Sequence, residues 1–169
     1  MIYDKYIPLT HIAVTIFLLG LAGCSSKKED TGGIELKDIK LSSLDGKSIY
    51  MDEFQDKTVF INFWATWCGP CIQEMPTIER AQGEMNGKDV VFLLASNEDF
   101  NQIERFSKKH DFKFRYVKLE NMEELNIAAL PTTFIFDSDG TLKFSETGYR
   151  MWDEPANLEL ISKIANDKE

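Results

Sequence analysis

The segment FWATWCGPCIQEMP, residues 63–76, places two cysteines three positions apart, directly after an apolar run. The overlapping residues 58–64, TVFINFW, are rich in β-branched and aromatic side chains, which predicts a buried strand. A helix is predicted from about Pro70 to Met85, and Pro76 inside it should produce a kink because proline lacks a backbone N–H. The cysteine pair is therefore expected where a buried strand gives way to a helix.

The pair Cys68 and Cys71 could form part of a metal site, a structural crosslink or a redox couple. A structural zinc site needs four Cys or His ligands, commonly as two spaced pairs, and this chain has no second pair. A disulfide across two residues closes a very small loop and stabilises by only about 2 kcal/mol in the chain-entropy description. We therefore expect no metal and a bond that opens easily.

The start of a helix favours the redox interpretation. Unpaired N–H groups in a first helical turn carry partial positive charge and lower the pKa of a thiol beside them, so Cys68 is the expected nucleophile. Pro70 suits that turn, because its missing N–H would have had no partner there. Cys71, one turn deeper, can attack the mixed disulfide that Cys68 forms with a substrate. This exchange requires no cofactor.

The remainder of the chain alternates short strand and helix patterns. Residues 34–50 predict a hairpin around the turn sequence Asp45-Gly46. Further strands are predicted at 89–95, 114–119, 132–136 and 142–147, helices at 100–110 and from 153 onward, and one or two helical turns at 122–127. This order predicts a mixed-sheet α/β domain.

The N-terminal part differs in kind. An apolar run from Ile12 to Ala22 has about half of the roughly 20 residues that a membrane-spanning helix needs, which is typical of an export signal. Residues 21–24, LAGC, resemble the lipobox of bacterial lipoproteins, which implies a signal peptide over residues 1–23 and acylation of Cys24. An ordinary signal or an uncleaved anchor remains open. Residues 24–33 predict a flexible tether.

The net charge of −9 argues against nucleic acid as a partner, since phosphate binding requires an excess of Lys and Arg. The string Trp67-Cys68-Gly69-Pro70-Cys71 resembles the active site of thioredoxin, and residues 62–76 resemble its TlpA/ResA branch more specifically. Those proteins are membrane-tethered, extracytoplasmic thiol–disulfide oxidoreductases of bacteria. The resemblance implies a thioredoxin-like domain over residues 34–169, with an N-terminal β-hairpin and a central insertion over residues 100–124.

The resemblance also assigns expected roles at the substrate surface. Leu130-Pro131-Thr132 matches the family's cis-proline loop, which implies that Pro131 lies against Cys68. The backbone of Leu130 would then be free to pair with an extended substrate segment. Trp67 is expected either to line the substrate surface or to pack inside, and both readings remain open.

Glu74 matches an acidic residue that tunes thiol ionisation in the TlpA/ResA branch. A carboxylate there would raise the pKa of Cys68 and could relay a proton from Cys71. The alternative is a solvated glutamate in the first helical turn, which the helix dipole favours. Asn62 stands where thioredoxin has a buried aspartate, and we expect it to be structural.

The implied function is a lipid-anchored reductase of the bacterial cell envelope, facing the periplasm or extracytoplasmic space. Its expected partners are disulfide-containing exported proteins, apocytochromes c among them, and a membrane electron donor. A peroxiredoxin-like peroxide reductase fits less well, because residues 64–67 lack the Pro-xxx-Thr-xx-Cys setting. A copper-binding thioredoxin-fold chaperone would pair CxxxC with a histidine after the proline loop, and a non-enzymatic lipoprotein would not need paired thiols. The direction of electron flow stays open.

Overall fold

Seven strands and three α-helices make up the regular structure of residues 33–167, which are the residues that the computed structural model describes. The strands are β1 (Leu41–Ser43), β2 (Ser48–Ile49), β3 (Thr58–Phe63), β4 (Val90–Ser96), β5 (Arg115–Leu119), β6 (Thr132–Phe136) and β7 (Leu142–Thr147). The helices are α1 (Gly69–Glu84), α2 (Phe100–Lys109) and α3 (Pro155–Asn166). Short 3-10 turns lie at Leu36–Asp38, Met51–Phe54 and Met122–Leu125.

The strands form one mixed sheet in the order β2-β1-β5-β4-β3-β6-β7. Strands β3, β4 and β5 run parallel, whereas β6 is antiparallel to β3, and β7 is antiparallel to β6. The predicted mixed-sheet α/β architecture of thioredoxin type is therefore confirmed. Since β6 runs opposite to β3, the beginning of β6 and the end of β3 meet at one edge of the sheet.

The central strand β3 explains why its sequence is almost continuously apolar. All six of its residues are buried, because both faces of the sheet are covered. Phe60 belongs to a core cluster that includes residues of all three helices. Its neighbour Ile61 faces the other cluster, which is closed by the N-terminal segment and the 3-10 turns. This alternation fixes the orientation of each side chain near the end of β3.

The predicted N-terminal hairpin is formed by β1 and β2, with Leu41 opposite Ile49 and Gly46 at a φ of 83°. That positive φ suits glycine, which has no Cβ. The segment predicted as an insertion, residues 100–124, supplies α2, β5 and a 3-10 turn, and β5 is an internal strand of the sheet.

The predicted signal peptide (1–23) lies outside the described residues, as does the predicted tether (24–33) except for Gly33. The predicted domain, residues 34–169, is described up to Asp167. Across residues 33–167, no helix is both long enough and apolar enough to cross a bilayer.

Candidate active site

The two cysteines of the motif lie at the beginning of α1 and are joined in a disulfide. Cys68 is the N-cap residue, and its Sγ accepts a hydrogen bond of 3.3 Å from the backbone N–H of Cys71. Cys68 is 4% exposed and Cys71 is 0% exposed, so Cys68 is the more accessible residue of the two. Pro70 lies in the first turn of α1. A thiolate at Cys68 would therefore meet the positive end of the helix and an N–H donor.

The segment before Cys68 is fixed by the packing of Trp64 in the core and by hydrogen bonds to Glu98, which follows β4. Trp64 is buried, with its ring 4.5 Å from that of Phe106, so it is a packing residue. The backbone N–H and the hydroxyl of Thr66 donate to the two carboxylate oxygens of Glu98, at 2.6 and 2.7 Å. Sequence reasoning missed Glu98, because a single glutamate 32 positions from its partner carries no motif signal.

The proline loop lies at the same edge of the sheet as the cysteine motif. The Leu130–Pro131 peptide bond is cis, and the next residue, Thr132, pairs with Phe63 at the end of β3. The carbonyl of Pro131 accepts a hydrogen bond of 2.8 Å from the N–H of Gly148. Among residues 33–167, no hydrogen bond uses the backbone of Leu130.

Glu74 is fully buried, at 0% exposure, so the interpretation as a solvated first-turn residue is wrong. Its Oε1 accepts a hydrogen bond of 2.6 Å from the amide of Asn62, and its Oε2 accepts one of 3.1 Å from the backbone N–H of Arg150. Burial raises the pKa of Glu74 from 4.5 to about 7, and the two donors offset part of that rise. Glu74 follows the buried Cys71 by three positions, so a carboxyl group that titrates near neutrality lies one helical turn from it.

Glu74 is buried because a distant loop covers this side of α1. The hydroxyl of Thr77 on α1 accepts a hydrogen bond of 3.0 Å from the N–H of Trp152. Trp152 in turn packs against Phe60, with ring centroids 4.7 Å apart. These contacts hold residues 148–152 over α1 and place the Arg150 N–H at the carboxylate.

The side chain of Asn62 on β3 donates two hydrogen bonds. Its amide nitrogen also donates to the hydroxyl of Thr133 on β6, at 3.0 Å, in addition to Glu74. Its Oδ1 is buried and has no hydrogen-bond partner within residues 33–167. The position that holds an aspartate in thioredoxin is therefore occupied here by a donor to the buried carboxylate.

Large apolar side chains are exposed in the motif and in the loop that follows β7. Trp67 is 75% exposed, so the packing interpretation of Trp67 is wrong. Tyr149 and Met151 are also large exposed apolar residues, and they follow Gly148, which binds Pro131. Sequence reasoning missed these two residues because they lie in a loop without periodicity. Trp67 therefore presents its indole ring to solvent within the motif itself.

Metal-ligating side chains are not gathered elsewhere in this part of the protein. Within residues 33–167, no group of three or more His, Cys, Asp or Glu residues could hold a metal ion.

Comparisons with known proteins agree with this site. The family model described as Redoxin matches residues 31–160. The thiol-disulfide oxidoreductase ResA of Bacillus cereus is 32% identical over 144 residues, which cover 78% of this chain and 83% of that protein. The thioredoxin-like protein YneN of Bacillus subtilis is 32% identical over 145 residues, covering 79% and 85%.

A solved structure supports the fold. The exposed lipoprotein thioredoxin of Streptococcus pneumoniae superposes with a TM-score of 0.61 at 24% identity, covering 73% of this chain and 97% of that chain. ResA is named a thiol-disulfide oxidoreductase, and a Cys68–Cys71 pair at a helix N-terminus supports that activity. The chain therefore belongs to the redoxin family and, within it, to the thiol–disulfide oxidoreductases of the ResA type.

Proposed function

We propose that the protein is a lipid-anchored, extracytoplasmic reductase of disulfides in exported proteins. One observation carries the proposal: the N-cap pair Cys68–Cys71 opens onto an edge of the sheet that also bears a cis-proline and exposed apolar side chains. That edge offers an extended polypeptide both backbone pairing at Leu130 and apolar contact at Trp67. A reactive thiol and a polypeptide-binding surface thus lie together.

The reaction proceeds in two exchanges. In the reduced protein the Cys68 thiolate attacks a substrate disulfide, so that one substrate thiolate leaves and a mixed disulfide forms. Cys71 then gives its proton to Glu74, and its thiolate attacks the Cys68 sulfur. The second substrate thiolate leaves, and the two electrons of the dithiol have reduced the substrate. A carboxylate with a pKa of about 7 suits this proton transfer, because it accepts and returns protons near neutral pH.

The substrate class and the electron source follow from the TlpA/ResA resemblance. Exported proteins whose cysteines must be thiols, apocytochromes c among them, are the proposed substrates. A reductase outside the cytoplasm must be reduced again after each turnover, which requires an electron donor in the membrane. Anchoring at Cys24 would keep the domain close to that donor.

We expect an equilibrium reduction potential below about −200 mV for the Cys68–Cys71 couple, since its Gly69-Pro70 dipeptide resembles that of thioredoxin, near −270 mV. Equilibration of the purified protein with dithiothreitol or glutathione buffers, followed by thiol alkylation, measures this value. A potential above about −150 mV, close to that of a strong oxidant, would contradict the reductase direction.

Lipid attachment at Cys24 predicts that cells fed an alkyne analogue of palmitate label the protein, because acylation there supplies its acyl chains. Cys24→Ser should lose this label completely, whereas the matched variant Cys68→Ser should keep it. A label that survives in Cys24→Ser would show that the lipid is attached elsewhere. An unlabelled wild-type protein would show that there is no such anchor.

A further inference from the structure

The buried pair of Asn62 and Glu74 supports an inference about how the protein handles the proton of Cys71. We propose that Asn62 is a positioning residue whose side-chain amide rotates with the protonation state of Glu74. The amide donates to the ionised carboxylate through Nδ2 and accepts from the protonated carboxyl group through Oδ1. The inference rests on the proposed function, in which Glu74 receives the proton from Cys71.

The two oxygens of Glu74 face different kinds of donor. Oε2 accepts from the backbone N–H of Arg150, at 3.1 Å. A backbone N–H cannot become an acceptor, so a proton on Oε2 would face another hydrogen. Oε1 faces Asn62, at 2.6 Å, and a side-chain amide has a donor end and an acceptor end. The proton therefore belongs on Oε1, provided that Asn62 turns its Oδ1 towards it.

The surroundings of Asn62 accommodate both orientations. At present Nδ2 donates to Glu74 and to the hydroxyl of Thr133, while Oδ1 is buried without a partner within the described residues. After rotation, Oδ1 would accept from Glu74 and from the Thr133 hydroxyl, because a hydroxyl both donates and accepts. Each orientation satisfies one end of the amide and leaves the other end unpaired. The penalty of the unpaired end is therefore similar in both, and the charge of Glu74 decides between them.

The other charged groups near Glu74 are engaged elsewhere. The guanidinium of Arg150 contacts Glu146, at 2.8 Å, and Asn157, at 2.7 Å, so Arg150 meets Glu74 only through its backbone. Strands β3 and β6 contribute the neutral side chains of Asn62 and Thr133. On α1 itself, Cys71 becomes a titratable neighbour once the disulfide is reduced, and its proton is the one transferred.

The rotation can be observed directly by NMR on the full-length chain in detergent. Over a pH titration, the side-chain carboxyl carbon of Glu74 and the side-chain amide of Asn62 should shift with one shared midpoint. Nuclear Overhauser contacts from the Asn62 amide hydrogens to the Thr133 side chain should be present well above that midpoint and lost well below it. Contacts that persist on both sides of the Glu74 midpoint would overturn the proposal.

A variant provides a second, independent test. Asn62→Leu removes a charge-assisted bond to the ionised carboxylate and a weaker neutral bond to the protonated carboxyl group, so the midpoint of Glu74 should rise by about one pH unit. The matched control is Asn121→Leu, since within residues 33–167 the amide of this buried residue bonds to Lys40, Asp38 and Glu124 and not to Glu74. It should leave the Glu74 midpoint unchanged. An unchanged midpoint in Asn62→Leu would contradict the inference.

A failure of the proposed function gives a different experimental result from a failure of the Asn62 inference. If Glu74→Gln left the pH dependence of disulfide reduction intact, Glu74 would not be the proton acceptor of Cys71. The NMR coupling between Asn62 and Glu74 would still be measured, because it does not depend on activity. The two claims can thus fail separately.

Discussion

Cys68→Ser is expected to lower the rate of insulin disulfide reduction by about three orders of magnitude or more, the scale seen when an enzyme loses its nucleophile. The serine hydroxyl stays protonated at neutral pH and cannot replace the thiolate that the N-terminus of α1 stabilises. The rate is followed as the turbidity of precipitating insulin chains in the presence of dithiothreitol. A Cys68→Ser variant that retains the wild-type rate would show that Cys68 is not the nucleophile.

The matched control for this substitution is Cys24→Ser, which changes the same residue type outside residues 33–167. We expect the purified Cys24→Ser chain to keep the wild-type rate. Peroxide consumption and copper binding, measured in parallel, separate the other functions that the fold can support. Rapid peroxide loss or one bound copper per chain, with no insulin reduction, would contradict the oxidoreductase interpretation.

Glu74→Gln is expected to stabilise the oxidised protein by up to about 3 kcal/mol above pH 7, since a pKa shift of one unit corresponds to 1.36 kcal/mol. Burial raises the pKa of Glu74 from 4.5 to about 7 in the folded state. Between these values the folded state binds more protons than the unfolded state. The free energy of unfolding of the wild-type protein therefore falls as the pH rises from 4.5 through 7, and the full destabilisation is present above 7.

Urea unfolding of wild type and Glu74→Gln at several pH values tests this expectation. The two proteins should converge below pH 4.5, where Glu74 is protonated in both states, and diverge above 7. Glu84→Gln on the same helix is the control, because Glu84 is exposed. It should change the free energy of unfolding by no more than about 0.5 kcal/mol. Parallel curves for wild type and Glu74→Gln across this range would contradict the buried, near-neutral carboxyl group.

The elements that place the motif were predictable because their signals are local. The run TVFINF is apolar on both faces of β3, which is characteristic of a strand inside a covered sheet. Helix α1 was predicted from Pro70 to Met85 and runs from Gly69 to Glu84. Its start was predictable because proline is favoured in a first helical turn. The cis peptide at Pro131, which the family resemblance implied, is also present.

The surroundings of the motif were less accessible to sequence reasoning, because they depend on contacts between distant segments. A glutamate near the start of a helix is normally solvated, yet Glu74 is covered by a loop whose Arg150 lies 76 positions away. The hydrogen bonds from Thr66 to the carboxylate of Glu98 form because β3 and β4 are parallel neighbours, so that their ends lie side by side. Burial of a polar side chain is decided by tertiary packing rather than by the local pattern.

The identity of the sulfur that bonds to the substrate is measured by trapping the mixed disulfide. In Cys71→Ser the second exchange cannot occur, so the adduct with a disulfide-containing peptide should accumulate. Peptide mapping by mass spectrometry is expected to find the substrate attached to Cys68, the N-cap residue whose sulfur the helix terminus contacts. An adduct on no cysteine, or an equal amount of adduct in Cys68→Ser, would contradict the assignment of Cys68 as the nucleophile.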